Sequence, residues 1–263
     1  MSTTPGPGRR PGARGPLVLM YHGIGSRPAE RDPYNLFVPP EGLERQLTTL
    51  VERGWTPLTL DRYLNGDVPR RSVLVTFDDG YRSMLDEGLP LLRRLRVPAT
   101  VFVLPGLLDG TSRWMARMPD EPLLDAAGVR ELARAGLDVE CHGWDHSDLV
   151  RTDPEGLDRN VAGAAEALAD LLGRRPRAYA YPYGTHDARA RRAVAAAGFQ
   201  VAFSVHEGDG RYAVPRVDVN STDTGATFRL KTSRAYPALR RVSGAVPKLR
   251  PALHAVLGSA RRS

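Results

Sequence analysis

Eight short apolar or β-branched runs recur along the chain, each bounded by turn residues, at 17–21, 56–60, 72–77, 99–104, 137–141, 178–181, 199–205 and 212–217. Several are continuous rather than alternating, the pattern of strands covered on both faces. Helical periodicity falls between them. Leu43, Leu47, Leu50 and Val51 repeat at helix spacing and stop at Gly54. Asp153 and Pro154 supply a capping residue and a first-turn proline for an Ala/Leu-rich run ending at Gly173, and a further helix over 187–197 is closed by Gly198. Strands alternating with helices predict parallel βαβ units rather than a β-sandwich.

Length and charge narrow this further. At 263 residues and 41% hydrophobic, the chain is long and apolar enough for one large α/β domain. No apolar run approaches the ~18 residues of a membrane span. A single cysteine excludes an internal disulfide framework and a Cys-rich zinc site. Twelve of the 37 basic residues lie in 1–15 and 229–263, which hold no acids, so 16–228 is mildly acidic with 25 basic against 30 acidic residues. The sequence therefore divides into a flexible basic leader (1–15), a body (16–228) and a basic extension (229–263). Only Lys231 and Lys248 are lysines, which reads as a chain-wide arginine bias, so no nucleic-acid partner is expected; the basic C-terminus suits peripheral contact with a membrane surface. Only five apolar residues separate the Pro/Gly-rich start from His22, too few for a signal core, and a cytoplasmic location is the expectation.

Residues suited to chemistry gather at the carboxyl ends of the predicted strands. His22 follows the first, Asp78-Asp79-Gly80 the third, His142 and His146 the fifth, and Tyr181-Pro182-Tyr183-Gly184 closes the sixth. That edge is where parallel α/β folds build their sites. Two histidines four apart can turn both rings to one ion, and a carboxylate from another strand end completes a three-ligand set with a position left open. The set suits zinc and other divalent first-row metals. With two adjacent carboxylates, ligation by one relieves their mutual repulsion and leaves the other free as a base.

In this order, the runs Val73-Leu74-Val75-Thr76-Phe77-Asp78-Asp79-Gly80, Cys141-His142-Gly143-Trp144-Asp145-His146 and Ala180-Tyr181-Pro182-Tyr183-Gly184 resemble the first three motifs of the polysaccharide deacetylase family, also called the NodB homology domain or carbohydrate esterase family 4. The resemblance covers about residues 15–220. It implies a distorted, TIM-like (β/α) barrel of about seven strands and metal-dependent hydrolysis of acetyl groups on sugars. It implies Asp79, His142 and His146 as ligands of a divalent ion, zinc foremost, with cobalt, manganese or nickel as alternatives. Asp78 is then the general base, and the backbone N–H of Tyr183 an oxyanion donor. The partner is an N-acetylated glycan or sugar-linked precursor, with Pro182, Trp144 and Trp114 as expected sugar contacts.

The sequence departs from the family pattern at two places. Where many members carry an arginine that orients the base, this chain has Ala180, and Arg216 is the expected replacement. The late Leu-x-His motif is not evident in its usual place, although Leu253-His254 fits its letters. Leu19-Met20-Tyr21-His22 resembles the branch acting on poly-N-acetylglucosamine and makes His22 the expected catalytic acid, with His206 in reserve. Two other readings stay open: hydrolysis of a small cyclic amide on the same fold, and a carbohydrate-binding pseudoenzyme.

Overall fold

A computed structural model describes residues 15–205, 208, 210–233 and 235–236. His206, His254 and most of the two basic ends lie outside the described residues. The strands are β1 (Leu17–Tyr21), β2 (Thr56–Pro57), β3 (Ser72–Phe77), β4 (Thr100–Val103), β5 (Asp138–Cys141), β6 (Ala178–Ala180), β7 (Val201–Ser204), β8 (Val214–Pro215) and β9 (Val217–Asp218). Between and after them run α1 (Pro40–Glu52), α2 (Leu60–Leu64), α3 (Leu89–Leu95), α4 (Ala126–Arg134), α5 (Pro154–Asp158), α6 (Ala164–Leu172), α7 (Ala188–Ala196) and α8 (Gly225–Lys231). A π-helical turn, Met84–Gly88, leads into α3, and a second, Arg159–Gly163, joins α5 to α6.

All nine strands belong to one parallel sheet in the order β8-β7-β6-β5-β4-β3-β1-β9, with β2 paired to β3. The two ends of that order are neighbours in sequence. β8 pairs with β7, β9 pairs with β1, and only Arg216 lies between them. One five-residue segment thus joins the sheet's two edges, which is nearly closed as a barrel. The strand count exceeds the expected seven because the run at 212–217 divides at Arg216 and the run at 56–60 contributes a two-residue strand.

Alternation along the strands sorts the side chains into two layers. Val18, Leu74, Phe102, Ala178, Ala180, Val201 and Phe203 fill one apolar cluster with Leu58 and Leu60. The residues between them, including Leu19, Val73, Val75, Val101, Val103, Val139 and Tyr179, pack with the helices in a larger one. Both faces of β3 are buried, which accounts for its unbroken apolar run. The predicted caps are present: the carboxylate of Asp153 accepts from Gly156 N at 2.7 Å, and Gly173 ends α6 with φ of 69°.

The boundary expected at 228 falls inside α8. The buried ammonium of Lys231, in the last turn of this helix, donates to the carbonyl of Asp218 at 3.0 Å and to Asp223 Oδ2 at 2.8 Å. It fastens α8 to the strand that closes the barrel. Lys231→Met leaves the Asp223 carboxylate buried without its cation, and is expected to lower the unfolding free energy by about 3 kcal/mol. Urea denaturation checks this; an unchanged midpoint would show that the pair does not hold the closing strand.

Candidate active site

Side chains from four strand ends meet at the carboxyl edge of the barrel. Asp78 and Asp79 follow β3, and Asp79 takes a left-handed φ of 72°. His142 follows β5, and His146 reaches back through a turn in which its own φ is 63°. His142 Nε2 lies 3.2 Å, and His146 Nε2 3.3 Å, from Asp79 Oδ1, with all three residues buried. These three offer ligand atoms within 4.8 Å of one another.

The hydrogen bonding shows what the gap between them wants. His142 Nδ1 lies 2.8 Å from the carbonyl oxygen of Ala180, an acceptor, so Nδ1 carries the proton and the neutral form of the ring turns its Nε2 lone pair toward Asp79. Asp79 Oδ1 itself is buried with no hydrogen-bond donor among the described residues. Acceptors crowded this closely need a positive charge among them. The same field acts on the ionisable groups. Burial opposes ionisation of Asp79, but the imidazoles of His142 and His146 beside it hold it well below the usual carboxylate value. Burial also works against a charged His142, yet Asp78 and Asp79 together push it up; at His146 burial prevails and pushes it down. Two imidazoles and a carboxylate converging in a buried pocket fit a divalent ion.

Asp78 faces a different partner. Arg216, from the break between β8 and β9, grips it bidentately, with Nη1 at 2.7 Å from Oδ1 and Nη2 at 2.6 Å from Oδ2. The fully buried guanidinium also donates to Thr76 Oγ1 and the carbonyl of Ser204, and lies over the Phe102 ring. Burial would raise the carboxyl, but Arg216 first and then His142 outweigh it, so Asp78 sits below its ordinary range. Arg216, the expected replacement for an arginine at Ala180, is thus the group that grips Asp78.

His22 stands at the end of β1, close enough to act electrostatically on Asp78, Asp79 and His146; its Nδ1 is buried without a partner among the described residues. Tyr183 lies in the turn after β6 with φ of 58°, and its ring, 57% exposed, meets the His146 ring edge-on at 4.5 Å. Of the expected sugar contacts, Trp114 stacks on His146 at 4.6 Å, which takes up one face of the indole. Trp144 is half-buried and packs against Gly106 and the larger core. Pro182 is buried against Gly143, which places it under the site rather than on its surface; the exposed group of that turn is Tyr183.

Sequence reading missed the scaffold of the cleft wall. Phe37, Tyr81, Met115, Met118 and Leu123 form a small separate core beneath the loops that carry Arg27 and Trp114. Arg27 ties these loops together by a bidentate pair with Glu121 at 2.6 and 2.7 Å while lying over Phe37. Buried Asp32 accepts from the N–H groups of Leu36 and Phe37, both at 2.9 Å. An Arg and a Glu separated by 94 positions leave no local pattern to find.

A family profile described as polysaccharide deacetylase matches residues 65–202, more than half of the chain. The chain belongs to this family. YxkH of Bacillus subtilis is 26% identical over 221 residues, spanning 80% of this chain and 74% of that protein. A poly-β-1,6-N-acetyl-D-glucosamine N-deacetylase of Staphylococcus epidermidis is 24% identical over 237 residues, spanning 78% and 79%. Among solved structures, a polysaccharide deacetylase from Bacillus cereus superimposes with a TM-score of 0.71 at 24% identity, over 84% of this chain and 69% of that one. IcaB from Ammonifex degensii gives 0.69 at 24% identity, over 85% and 98%. These two structures share the fold of this polysaccharide deacetylase. No helix among the described residues is long and apolar enough to cross a membrane.

The division of labour between the adjacent carboxylates is open to calorimetry. His142→Ala removes an imidazole from the three-acceptor set and is expected to abolish tight Zn²⁺ binding, whereas Asp78→Asn, held by Arg216 outside that set, is expected to bind Zn²⁺ at close to the wild-type affinity. Equal loss in both variants would place Asp78 among the ligands.

Proposed function

We propose that this chain is a metal-dependent N-deacetylase that releases acetate from an N-acetylated sugar. The observation that carries the reading is the pairing of two kinds of carboxylate side by side, Asp79 facing two imidazoles and Asp78 facing a guanidinium. Asp79, His142 and His146 would hold the ion, with zinc favoured by the ligand set and its open position. When bound, such an ion lowers the pKa of a water molecule and polarises a carbonyl.

The chain's own groups account for the remaining steps. Asp78, kept ionised and oriented by Arg216, takes the proton of the water whose oxygen attacks the acetyl carbonyl carbon. Tyr183 contributes its backbone N–H to the developing oxyanion, in a turn whose shape is fixed before the substrate arrives. As the C–N bond breaks, His22 gives a proton to the leaving amine, so the products are acetate and a free amino sugar. The exposed Tyr183 ring and the edge of Trp114 line the approach of the sugar. Relatives named as poly-β-1,6-N-acetyl-D-glucosamine N-deacetylases support a β-linked N-acetylglucosamine substrate. The fold alone would not carry the deacetylase reading; the grouping of Asp78, Asp79, His142, His146 and Arg216 supports it.

Acetate release from N-acetylglucosamine oligomers by Zn²⁺-loaded protein tests this directly. A protein that binds the ion and the oligomer yet releases no acetate would be a binding module. Asp78→Asn is expected to lower kcat by about 10²–10⁴. Arg216→Lys, which keeps the charge but loses the two-pronged grip, is expected to lower kcat by about tenfold with little change in KM. A wild-type rate in Arg216→Lys would show that base orientation does not depend on the fork.

A further inference from the structure

The two histidines of the site sit at the ends of a turn with no regular structure, and something must hold that turn in shape. Gly143 has φ of 93° and His146 φ of 63°, both left-handed. Inside the turn, two backbone N–H groups point at one atom: Trp144 N lies 2.9 Å and Asp145 N 3.4 Å from Oδ1 of Asn160. Asn160 is fully buried and belongs to another element, the π-helical turn Arg159–Gly163. Its Nδ2 donates to the carbonyl of Gly156 at 3.0 Å, which orients the amide, and Tyr179 Oη donates to its backbone carbonyl at 3.4 Å. A Cβ on Gly143 would come within 3.1 Å of Tyr179 Oη and 3.2 Å of Asn160 Oδ1. The turn and the amide are therefore fitted face to face. Arg159, one residue earlier, holds the same turn from outside through Asp145 at 3.2 Å.

We infer that Asn160 is a positioning residue of the metal centre, whose side-chain oxygen fixes the 142–146 turn so that both Nε2 atoms converge on Asp79. The inference rests on the metal-site reading above. The side-chain oxygen suits the task because one acceptor serves both N–H groups of the turn. A π-helical turn, rare in helices and frequent at functional sites, is what brings residue 160 to face the turn. An apolar side chain of the same size would leave those N–H groups unpaired and the turn free to relax.

The test compares Asn160→Leu with Asn160→Asp, which keeps an accepting oxygen in either protonation state. Zn²⁺ affinity is read by competition with a chromophoric chelator, ligand geometry by the visible absorption of the Co²⁺-loaded protein, and folding by thermal unfolding without metal. Asn160→Leu is expected to lower Zn²⁺ affinity by about 10–100-fold and to change the Co²⁺ spectrum, while Asn160→Asp stays within about threefold of wild type. Should the leucine variant not fold, Asn160→Ala carries the same expectation. Wild-type affinity and spectrum in the leucine or alanine variant would overturn the inference, as would an equal loss in Asn160→Asp. A wild-type protein that binds neither ion would overturn the metal reading together with it, and so is distinguishable from failure of Asn160 alone.

Discussion

The ion pair between Arg216 and Asp78 stands where two requirements of this molecule meet. The barrel must close, and a carboxylate must stay charged at the top of an interior lined by Leu74, Phe102 and Phe203. Closure uses one short segment shared between two neighbours, β8 on β7 and β9 on β1, and the residue at the change of partner is Arg216. Its side chain turns inward with four of its contacts made to the barrel itself or to Asp78. A buried ion pair is weak evidence for stability, since desolvation consumes most of the attraction. Under the proposed function its return is functional. The guanidinium keeps Asp78 ionised and fixes both of its oxygens, while the strand that carries it completes the sheet.

Much of this was legible in the sequence because parallel strands buried on both faces leave continuous apolar runs. β1 and β3 appear residue for residue as the runs at 17–21 and 72–77. The run at 56–60 was shortened because Thr59 caps α2, its hydroxyl accepting from Arg62 N, so Leu60 begins a helix. The helices at α3 and α4 carried weaker signals. The π-helical turn Met84–Gly88 inserts a residue into the turn ahead of α3 and shifts the 3.6-residue period, and α4 has Gly128 in its first turn.

The site divides in the same way. Polar residues at strand ends were visible, since a strand end is a local feature and the fold class says which edge they share. Partners supplied by tertiary contact were not. Arg216 reaches Asp78 across 138 positions, and was expected there only because a motif position held alanine. Asn160 lies in the middle of a helical run, where an asparagine reads as an indifferent surface residue until its burial is known.

Three residues of the proposed machinery, Asp79, His146 and Tyr183, hold left-handed backbone conformations that cost a non-glycine residue roughly 1 kcal/mol each. The reason is geometric. A strand that simply ran on would carry its side chains past the barrel mouth, whereas a left-handed residue turns the chain back over the opening. Three such turns, after β3, β5 and β6, converge on one point only if the strands beneath them keep their register. That register pairs Phe77 with Val101, Val103 with Cys141, and Cys141 with Tyr179. A slip of one residue in any of these strands would exchange its inner and outer faces and carry its turn away from the others. The apolar layers that forbid the slip therefore set the ligand geometry, and the strain in the turns is sustained by core packing rather than by whatever binds between them.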